Sequence, residues 1–599
     1  MMITWNKVAL KLLLIFFGAQ AFGQENGERL LACVDDFPEE STVLITDRDF
    51  YLAGDKLWFK AFVFVDDELN SDLSKVLYVE LFNDKGQVFA QHKFEVSQGN
   101  TAGVFNIPAE VNTGVYYLRA YTQYMRNFPL ERFFTRAVTI VNPQSETTKI
   151  KVSDKKMSEP GKGSVLIGSG LNKETIQLNF SASKKTFGQR EAVELNIENP
   201  IHANLVVSVR KKGTGYSEND ITQILSANPW LAASYASLPP FNISGLNLSE
   251  MTRPAALEWV PEVRGLTLTG MIRNKNTGLP VPEVYCITSV MGKQIQLHMS
   301  KTHEDGTFIF PYNHLQGNKD IFVAIRNNEN RDLEILINKD FSTTFPSVLP
   351  MAMPFDSSRH ALFEALYINS QLNRTFEPSF KKGAYPEPGP MPLPFNIGSP
   401  DLVVEVKNYI DIPTMPEVFR ELVPTVSVRG KIGRRKLNVF DKNAFRDYDN
   451  PLVLLDNVPV SDVEKLLQLN PAQLKAIEVY HSDYFLGDYV FGGIVSVKTN
   501  TEDFAGYKWG DESVFLTYNT FLLSEIFQYP AYVDQVDKQN KKPDFRTLLY
   551  WNPEVSLNGH PVKITFFTSD HISEYEVVVQ GFTQDGRPCF GSTEIEVLK

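Results

Sequence analysis

The stretch TDRDFYLAGDKLWFKAFV, Thr46 to Val63, indicates what kind of structure this chain forms. Its second half alternates between two faces, as expected of a β-strand, whose successive residues point to opposite sides. One face carries Leu57, Phe59, Ala61 and Val63, and the other carries Trp58, Lys60, Phe62 and Phe64. A second alternating run, Leu77 to Leu81, leads into the turn sequence Asn83-Asp84-Lys85-Gly86. Short strands separated by such turns predict a β-sandwich.

The composition describes a foldable, acidic chain. Of its 599 residues, 43% are hydrophobic and 22% charged, which excludes a disordered tail or a fibrous repeat. At about 150 residues per domain, this length suggests roughly four domains. The 71 acidic side chains outnumber the 59 basic ones, and a net charge of −12 repels phosphate backbones, so we expect no nucleic-acid partner. The three cysteines, Cys33, Cys286 and Cys589, lack metal-site spacing and can form at most one disulfide.

The first residues have the pattern of an export signal. Lys7 and Lys11 precede an apolar run, and small residues at Ala21 and Gly23 fit a cleavage site before Gln24. We therefore predict a signal peptide over residues 1–23, with a buried core helix as the alternative. Leu30-Leu31-Ala32-Cys33 is similar to a lipoprotein box, but a polar stretch separates it from the apolar run, so we favour an unlipidated Cys33. No later run of about 18 apolar residues occurs, which predicts no transmembrane segment in the mature chain.

Three stretches together resemble a macroglobulin-type domain, which we place at residues 24–143. They are Thr46 to Val63, GVFNIP (Gly103 to Pro108) and GVYYLRAYT (Gly114 to Thr122). A weaker match to the layout of the first strand pair is SKKTFGQREAVELNI (Ser183 to Ile197), which has Gly188 in the place of Gly54. It predicts a second, degraded β-sandwich over residues 164–212. Residues 213–265 contain several prolines and are interpreted as a linker or packing arm.

A third module begins at LTLTGMIRNKNTGLPVPEVYCI (Leu266 to Ile287) and continues to THEDGTFIF (Thr302 to Phe310). These motifs are similar to carboxypeptidase regulatory-like domains, a family of small transthyretin-like sandwiches without catalytic residues. The resemblance implies a domain over residues 266–340 that folds alone, with hairpin turns at Thr277-Gly278 and Asp305-Gly306. An H-x-x-E pattern, His571 to Glu574, lies far downstream and is attributed to chance.

Residues 357–375 follow a helical pattern, with Leu362, Phe363, Leu366 and Tyr367 on one apolar face. After a proline cluster, NPLVLLDNVPVSDVEKLLQLNPAQLKAIEVYHSDYFLGDYVFGGIVSVKT (Asn450 to Thr499) resembles the plug domain of TonB-dependent outer-membrane transporters. We place this plug-like domain at residues 400–500. In that family the position of Asn457 is commonly Gly. The β-rich positions predicted to be buried are Val453, Leu454, Leu455, Ile477, Val479, Ile494, Val495 and Val497.

The last part of the chain, residues 505–599, resembles another macroglobulin-like β-domain, on the alternation around Tyr575, Val577 and Val579. The expected fold class is mainly β: tandem immunoglobulin- or macroglobulin-like and transthyretin-like sandwiches with one small α+β plug-like domain. The string of modules resembles cell-envelope proteins of Bacteroidetes-type bacteria.

Several kinds of function are excluded or disfavoured by missing residues. A plug-filled barrel needs around 22 strands of about 9–11 residues, and 99 residues follow Asn500. Any barrel that holds this domain is therefore expected to be another protein. No cysteine is followed by Gly-Glu-Gln, which excludes covalent protease capture, and no phosphate-binding glycine motif is present. We predict no catalytic, cofactor-binding or metal-binding residues, no cofactor and no enzymatic activity.

The expected function is that of a scaffold or binding partner of another envelope protein, with an outer-membrane β-barrel as the leading candidate. The protein is expected to be exported, and to reside in the periplasm or peripherally at the outer membrane. An adhesion or polysaccharide-binding surface protein is the first alternative, and an enzyme with an unrecognised site is the second. Partner identity, orientation and oligomeric state are left open by the sequence.

Two surface features are candidate contact sites. Apolar and aromatic residues crowd what we interpret as a loop around Gly487 and Asp488: Tyr480, Tyr484, Phe485, Leu486, Tyr489, Val490 and Phe491. They form either an interaction site or part of the core. A basic cluster, Arg429, Lys431, Arg434, Arg435 and Lys436, is either a solvated loop or a site for an acidic partner or lipid headgroups.

Overall fold

The structure is a computed structural model. It describes residues 38–66, 68–69, 73–128, 130, 133–144, 175–215, 258–292, 295–326, 332–346, 349, 357–376, 398–409, 412–442, 444–523 and 525–599. The predicted signal peptide 1–23, Cys33, most of the predicted linker 213–265 and the proline cluster lie outside these residues. The chain divides into two compact units. The first comprises Met1–Val263, Thr343–Tyr385 and Ser524–Lys599, and the second Arg264–Ser342 and Pro386–Leu523.

The fold is mainly β, as predicted, and begins with a sandwich of nine strands, here called the first sandwich. Its strands are β1 (Glu40–Thr46), β2 (Phe50–Leu52), β3 (Lys56–Val65), β4 (Glu68–Leu69), β5 (Val76–Asn83), β6 (Val88–Glu95), β7 (Asn100–Asn106), β8 (Gly114–Tyr121) and β9 (Phe134–Val141). In one sheet β3 pairs with β1, β4 and β7, and the other sheet has the order β2-β9-β8-β5-β6. The alternating residues Leu57, Phe59, Leu77 and Leu81 are fully buried between the sheets.

Five strands follow, and they do not form a complete sandwich by themselves. They are β10 (Ile176–Gln177), β11 (Phe180–Ala182), β12 (Thr186–Phe187), β13 (Ala192–Ile197) and β14 (His202–Lys211). Among them only β11 and β13 pair with each other, and the remaining partners come from the end of the chain.

The third module is a sandwich, here called the third sandwich, whose strands start at Leu266. They are β15 (Leu266–Asn274), β16 (Tyr285–Val290), β17 (Leu297–Lys301), β18 (Thr307–Tyr312), β19 (Asn318–Ile325) and β20 (Leu333–Ile337). One sheet has the order β18-β15-β20, and the other contains β17-β16-β19. The turn at Asp305-Gly306 therefore carries the chain from one sheet to the other, and does not close a hairpin within one sheet as predicted.

The predicted helix is present as α1 (Ser357–Phe376), in the first unit. Phe363 and Leu366 on its apolar face are buried, and they pack against Phe50, Leu52 and Val141 of the first sandwich. This contact agrees with the helical spacing of the apolar residues.

An α+β domain follows α1 and has two sheets and two helices. Its elements are β21 (Leu402–Val404), α2 (Met415–Leu422), β22 (Val426–Arg429), β23 (Lys436–Asp441), β24 (Arg446–Tyr448), β25 (Leu452–Leu455), β26 (Val458–Pro459), α3 (Val463–Leu466), β27 (Leu474–Leu486) and β28 (Tyr489–Thr499). The larger sheet has the order β21-β27-β28-β25-β26, with β25 and β28 parallel, and the smaller has the order β22-β23-β24. All eight residues predicted to be buried in this domain are at most 5% exposed.

Three residues of the stretch 450–499 have clear local roles in the backbone. Asn457 stands at a turn residue with φ +71°, and Asn is one of the few residues besides Gly that adopt this conformation readily. Gly493 has φ +82°, and a Cβ there would lie 2.5 Å from the backbone oxygen of Tyr480, so only glycine fits. Asn470 caps the short 3-10 turn Pro471–Gln473 by accepting a hydrogen bond from the backbone nitrogen of Ala472 at 3.0 Å.

After the α+β domain the chain returns to the third sandwich. Strand β29 (Ser513–Asn519) pairs antiparallel with β19 from Asn318 to Ala324 and becomes the edge of that sheet. The expectation that residues 266–340 form the whole module was therefore wrong, because a strand from outside that range completes the sheet. Local motifs do not report such a distant strand.

The last elements, in the first unit, are α4 (Gln535–Lys538) and the strands β30 (Leu548–Asn558), β31 (Val562–Phe567), β32 (Ser573–Thr583) and β33 (Pro588–Val597). Strand β14 lies between β30 and β32, and β13 pairs with β31. The predicted sandwich at 164–212 and the predicted domain at 505–599 are thus two parts of one sandwich, here called the second sandwich. The separate assignments are corrected accordingly. Each part alone lacks the strands that its apolar faces need.

Strand β3 is buried on both faces because the first and second sandwiches pack together. Phe62 and Phe64 each place their ring centroid 5.0 Å from that of Phe582 in β32. Lys60, on the same face and only 1% exposed, donates a hydrogen bond to Glu554 in β30 at 2.6 Å. The second alternating face of β3, which the sequence showed, is therefore an internal interface of the first unit.

Candidate functional site

The crowded aromatic segment of the α+β domain is a β-hairpin and not the loop that was predicted. Strands β27 and β28 continue to the two-residue turn Gly487-Asp488, with Phe485 opposite Val490 and Leu486 opposite Tyr489. Gly487 has φ +59° at the first turn position, as a type II′ hairpin turn requires. We call residues 484–491 the tip hairpin. Its alternation sends its apolar side chains to two different faces.

One face of the tip hairpin belongs to the core. Leu486 and Phe491 are 5% and 0% exposed, and they share an apolar cluster with Ile287, Leu297 and Phe322 of the third sandwich. Tyr489 meets Tyr285 edge to face, with ring centroids 5.4 Å apart. The inward residues therefore fasten the α+β domain to the third sandwich within the second unit.

A partly buried guanidinium supports the same contact. Arg326 lies over the rings of Tyr489 and Phe491, at 4.8 and 4.4 Å from their centroids. Burial lowers the pKa of Arg326 and raises the pKa of Tyr484 to about 12. These shifts follow from loss of water around the charged form of each group.

The other face of the tip hairpin is open. Phe485 is 68% exposed and Val490 is 42% exposed, and the two lie directly opposite each other in the ladder. Side chains opposite each other on neighbouring strands are close enough to form one continuous apolar surface. The sequence had grouped these two residues with Leu486 and Phe491. Counting the alternation outward from the turn separates the exposed pair from the buried one.

The basic cluster lies at the hairpin turn between β22 and β23 and is partly neutralised. Arg429 pairs with Asp447 at 2.6 Å, and Arg435 pairs with Glu464. The Arg435 guanidinium lowers the pKa of Glu464 to about 2. Ile432, at the tip of the turn, is 87% exposed. The structure therefore assigns part of this cluster to local ion pairs.

The H-x-x-E residues do not meet at a metal site. His571 Nε2 lies 2.7 Å from Lys211 Nζ, whereas Glu574 pairs with Lys212 at 2.8 Å. Burial and the charge of Lys211 lower the pKa of His571 to about 4. Within the described ranges no group of three or more His, Cys, Asp or Glu side chains is placed to hold a metal ion. Nor does that part of the chain contain a helix long and apolar enough to cross a membrane.

Comparison with known proteins gives only distant likenesses. No protein-family model matches the chain, and no curated protein matches it. Among solved structures, Salmonella alpha-2-macroglobulin reacted with methylamine is similar over 93% of this chain and 39% of its own, with 10% identity and a TM-score of 0.23. Native Escherichia coli alpha-2-macroglobulin is similar over 93% and 40%, with 9% identity and a TM-score of 0.23.

Dimeric latent PorU from Porphyromonas gingivalis is similar over 50% of this chain and 34% of its own, with 9% identity and a TM-score of 0.15. The chain spans about two fifths of the length of the two alpha-2-macroglobulins. Superpositions at these TM-scores do not establish a common arrangement of domains. No residue role is taken from them.

Proposed function

We propose that this protein is a non-catalytic envelope protein that binds another envelope protein through the exposed face of its tip hairpin. The observation that carries the proposal is the exposed pair of Phe485 and Val490. An exposed aromatic residue beside an exposed aliphatic one provides an apolar anchor of the kind that enters a pocket on a partner. The same hairpin is held from behind by Leu486 and Phe491, so the anchor is presented on a rigid support.

The partner that fits best is an outer-membrane β-barrel. The resemblance of residues 450–499 to transporter plugs supports this choice, since a plug works inside a barrel. Export by the predicted signal peptide 1–23 would bring the chain to the compartment where such barrels are found. The protein would then act in the periplasm or peripherally at the outer membrane.

The test is a site-specific crosslink in intact envelopes. A photoreactive amino acid at position 485 is expected to form a covalent adduct with a β-barrel protein, identified by mass spectrometry. The same amino acid at Phe445, which is 84% exposed in the same domain, is the matched control and is expected to give no such adduct. Equal crosslinking at both positions, or adducts without a barrel protein at 485, would contradict the proposal.

The variant Phe485→Ser with Val490→Ser gives a second test, because it removes the anchor and leaves the buried face intact. Barrel capture is expected to be lost, while thermal unfolding changes little. Adhesion or polysaccharide binding remains the first competing function, and retention of the full chain on envelope glycans would favour it. An enzyme with an unrecognised site is the second, and hydrolysis of an envelope polymer by the purified chain would favour it.

A further inference from the structure

The hairpin turn between β22 and β23 projects an apolar residue from a basic surface. We call residues 430–435 the basic turn. Ile432 lies at its apex and is 87% exposed, more than any other large hydrophobic residue that the structure describes. Turn positions usually carry Gly, Pro, Asn, Asp or Ser, each for a local backbone reason. Ile432 has no such reason and gains almost no packing, which points to a contact outside the chain.

The backbone fixes the position of this side chain. Arg434 N donates to Lys431 O at 2.9 Å and closes a four-residue β-turn with Ile432 and Gly433 in its middle. Gly433 has φ +90°, a conformation that glycine adopts without strain. Ile432 therefore occupies a defined place at the tip of the hairpin.

Two members of the basic cluster hold the turn on the domain. Glu464 of α3 accepts hydrogen bonds at 3.0 Å from both the backbone nitrogen and the Nε of Arg435. Arg429 Nη2 lies 2.6 Å from Asp447 Oδ2 and links β22 with β24. These contacts support the base of the turn, so its apex is presented on a rigid hairpin.

The other three members of the cluster are not neutralised. Lys431, Arg434 and Lys436 are exposed, and none of them forms an ion pair with a described residue. They give the turn a positive charge in a chain whose net charge is −12. At physiological ionic strength exposed charges are screened beyond about 8 Å, so the local charge decides what approaches Ile432.

A second turn of the same small sheet provides a contrast. At the opposite end of β23, Phe445 is 84% exposed. The stretch 441–449 around it contains three aspartates against two cations, whereas the stretch 429–436 contains five cations and no acidic residue. The two turns therefore expose apolar side chains in opposite electrostatic surroundings. Of the two, only the basic turn combines an apolar apex with positive charge.

This combination fits an anionic lipid surface. Apolar side chains enter the boundary between headgroups and acyl chains, while neighbouring Lys and Arg side chains extend their charged ends to lipid phosphates. Each basic residue near such a surface strengthens binding about fivefold. An apex with one apolar residue and three unpaired cations makes both kinds of contact without any change in the hairpin.

An acidic protein partner fits less well. Stable protein interfaces bury about 1,200–2,000 Å² around an apolar centre. The outward face of β22 and β23 next to the turn is polar, with the pair Arg429 and Lys436 followed by the pair Ser427 and Asn438. The apolar side chains of these two strands lie in the domain core. Ile432 therefore has no apolar neighbours on that face with which to form the centre of a protein interface.

We infer that the basic turn binds the surface of an anionic membrane, with Ile432 entering its apolar boundary and the three unpaired cations contacting lipid phosphates. The contact uses neither the tip hairpin nor a protein partner, so it goes beyond the proposed function. One apolar side chain and three cations give weak, reversible binding, which orients the chain on a membrane and does not anchor it by itself.

The test is co-sedimentation of the chain from Gln24 onward with lipid vesicles, since the apolar run within residues 1–23 would itself bind lipid. Vesicles of phosphatidylglycerol and phosphatidylethanolamine in equal parts are compared with vesicles of phosphatidylcholine. The chain is expected to bind the first kind and not the second, and added salt is expected to weaken the binding. Ile432→Ser is expected to lower the partition coefficient about tenfold. Lys431→Gln is expected to lower it about fivefold.

The opposite turn supplies the matched controls. Phe445→Ser and Lys442→Gln remove the same kinds of side chain there and are expected to leave the partition coefficient unchanged. All four positions are exposed, so the thermal unfolding curves are expected to stay close to that of the parent chain. Equal losses of binding at the two turns would overturn the inference, because the charge and apolarity of the domain as a whole would then be responsible.

The depth of insertion gives a second measurement. An environment-sensitive dye is attached through Ile432→Cys in a Cys33→Ser background, in which the remaining cysteines are buried. Its emission is expected to shift to the blue when the anionic vesicles are added. The same dye at Phe445→Cys is expected to show no shift, and equal shifts at the two positions would contradict insertion by the basic turn.

Absence of binding to the anionic vesicles, or loss of binding in Lys431→Gln but not in Ile432→Ser, would also overturn the inference. Binding to soluble polyglutamate as tight as binding to the vesicles would overturn it as well, and would favour an acidic protein partner. None of these outcomes bears on the crosslink at position 485, which tests the proposed function separately.

Discussion

Asp456 binds Thr499 through both oxygens of its carboxylate: one accepts from the backbone nitrogen of Thr499 at 2.7 Å, and the other from its hydroxyl at 2.6 Å. The second oxygen also accepts from the backbone nitrogen of Phe504 at 3.0 Å. Asp456 is 8% exposed, so this carboxylate connects the β25–β26 turn to the end of β28 in a nearly dry site. It thereby ties an early turn of the stretch 450–499 to the end of its last strand.

Replacing Asp456 with Ala is therefore expected to destabilise the α+β domain by about 2–4 kcal/mol, because three donors lose a charged acceptor. Urea unfolding followed by tryptophan fluorescence measures this, since Trp509 packs against the core of that domain. Asp488→Ala, at the exposed hairpin turn, is the matched control and is expected to change the free energy of unfolding by less than about 0.5 kcal/mol. Equal effects of the two substitutions would remove the structural role assigned to Asp456.

The two faces of the tip hairpin are expected to differ sharply in stability. Phe491→Ala removes a fully buried ring and is expected to cost about 3–5 kcal/mol. Phe485→Ala removes a largely exposed ring and is expected to cost less than about 0.5 kcal/mol. Thermal and urea unfolding of the two variants gives the comparison. A large loss for Phe485→Ala would show that its side chain is packed, and the anchor proposed for the partner would be lost with it.

Stability of the first sandwich is expected to depend on pH through Glu40. Burial raises the pKa of Glu40 to about 7, against hydrogen bonds from Thr122 and Ser74 that lower it. The folded state then keeps a proton that the unfolded chain releases between about pH 4.5 and 7, so this contribution is full below about pH 4.5 and is lost as the pH rises through 7. The loss is on the order of 3 kcal/mol.

Glu40→Gln has no carboxyl proton to release at this position, so its free energy of unfolding does not fall in this way. The difference between its free energy of unfolding and that of the parent chain is expected to grow by this amount between pH 4.5 and 8. Unfolding by urea at several pH values measures the difference. The exposed Glu110→Gln serves as the control and is expected to follow the parent at each pH. Parallel curves for Glu40→Gln and the parent would contradict the prediction.

The two cysteines of the described chain are expected to be unreactive in the folded state. Cys286 and Cys589 are 0% and 2% exposed, and burial raises the pKa of each thiol to about 12. A thiol reagent at pH 8 is expected to modify neither in a Cys33→Ser background, and both after denaturation. Because Cys286 lies in the second unit and Cys589 in the first, their separate labelling rates report on the two units. Fast labelling of either in the native chain would show local opening there.

The third sandwich is expected to need the segment that follows the α+β domain. A fragment of residues 264–342 lacks β29 and leaves the β19 edge and the apolar residues Ile287, Leu297 and Phe322 uncovered. It is expected to self-associate in gel filtration, since open edges and apolar faces pair between chains. A fragment of residues 264–523 in which a Gly-Ser linker replaces residues 343–385, and with them α1, is expected to be monomeric and to unfold cooperatively. A stable monomer of the shorter fragment would show that the sandwich is self-sufficient.

Much of the fold was accessible from local patterns. The spacing of Leu362, Phe363 and Leu366 predicted the helix and the face it buries, and the β-rich runs around Val453, Ile477 and Val495 predicted the buried strands. Both predictions rest on periodicity, which depends on neighbours only a few residues away. The same alternation, carried through the turn at Gly487, would also have separated Phe485 from Phe491.

What local patterns did not show is which distant segments join. The second sandwich needs β14 to pair with β32, and nothing in either strand specifies the other beyond a common need to bury an apolar face. The surface that α1 covers was not predicted for a related reason. Phe363 and Phe50 come from separate parts of the sequence, and their contact follows only from the packing of α1 on the first sandwich.

The strands of the second sandwich come from two distant parts of the chain. This fixes the order in which the domains can fold while the chain is synthesised from its amino end. Arg210 of β14 and Glu576 of β32 are ion-paired although 366 residues separate them. Until β30 emerges, β14 has neither of its neighbours, while the third sandwich and the α+β domain, which precede β30 in the chain, can already be complete. The entropy of closing so long a loop grows only with the logarithm of its length, and a folded insert shortens it further. The second sandwich is therefore the last part to form, and interruption of synthesis anywhere before β32 leaves its early strands open to wrong partners.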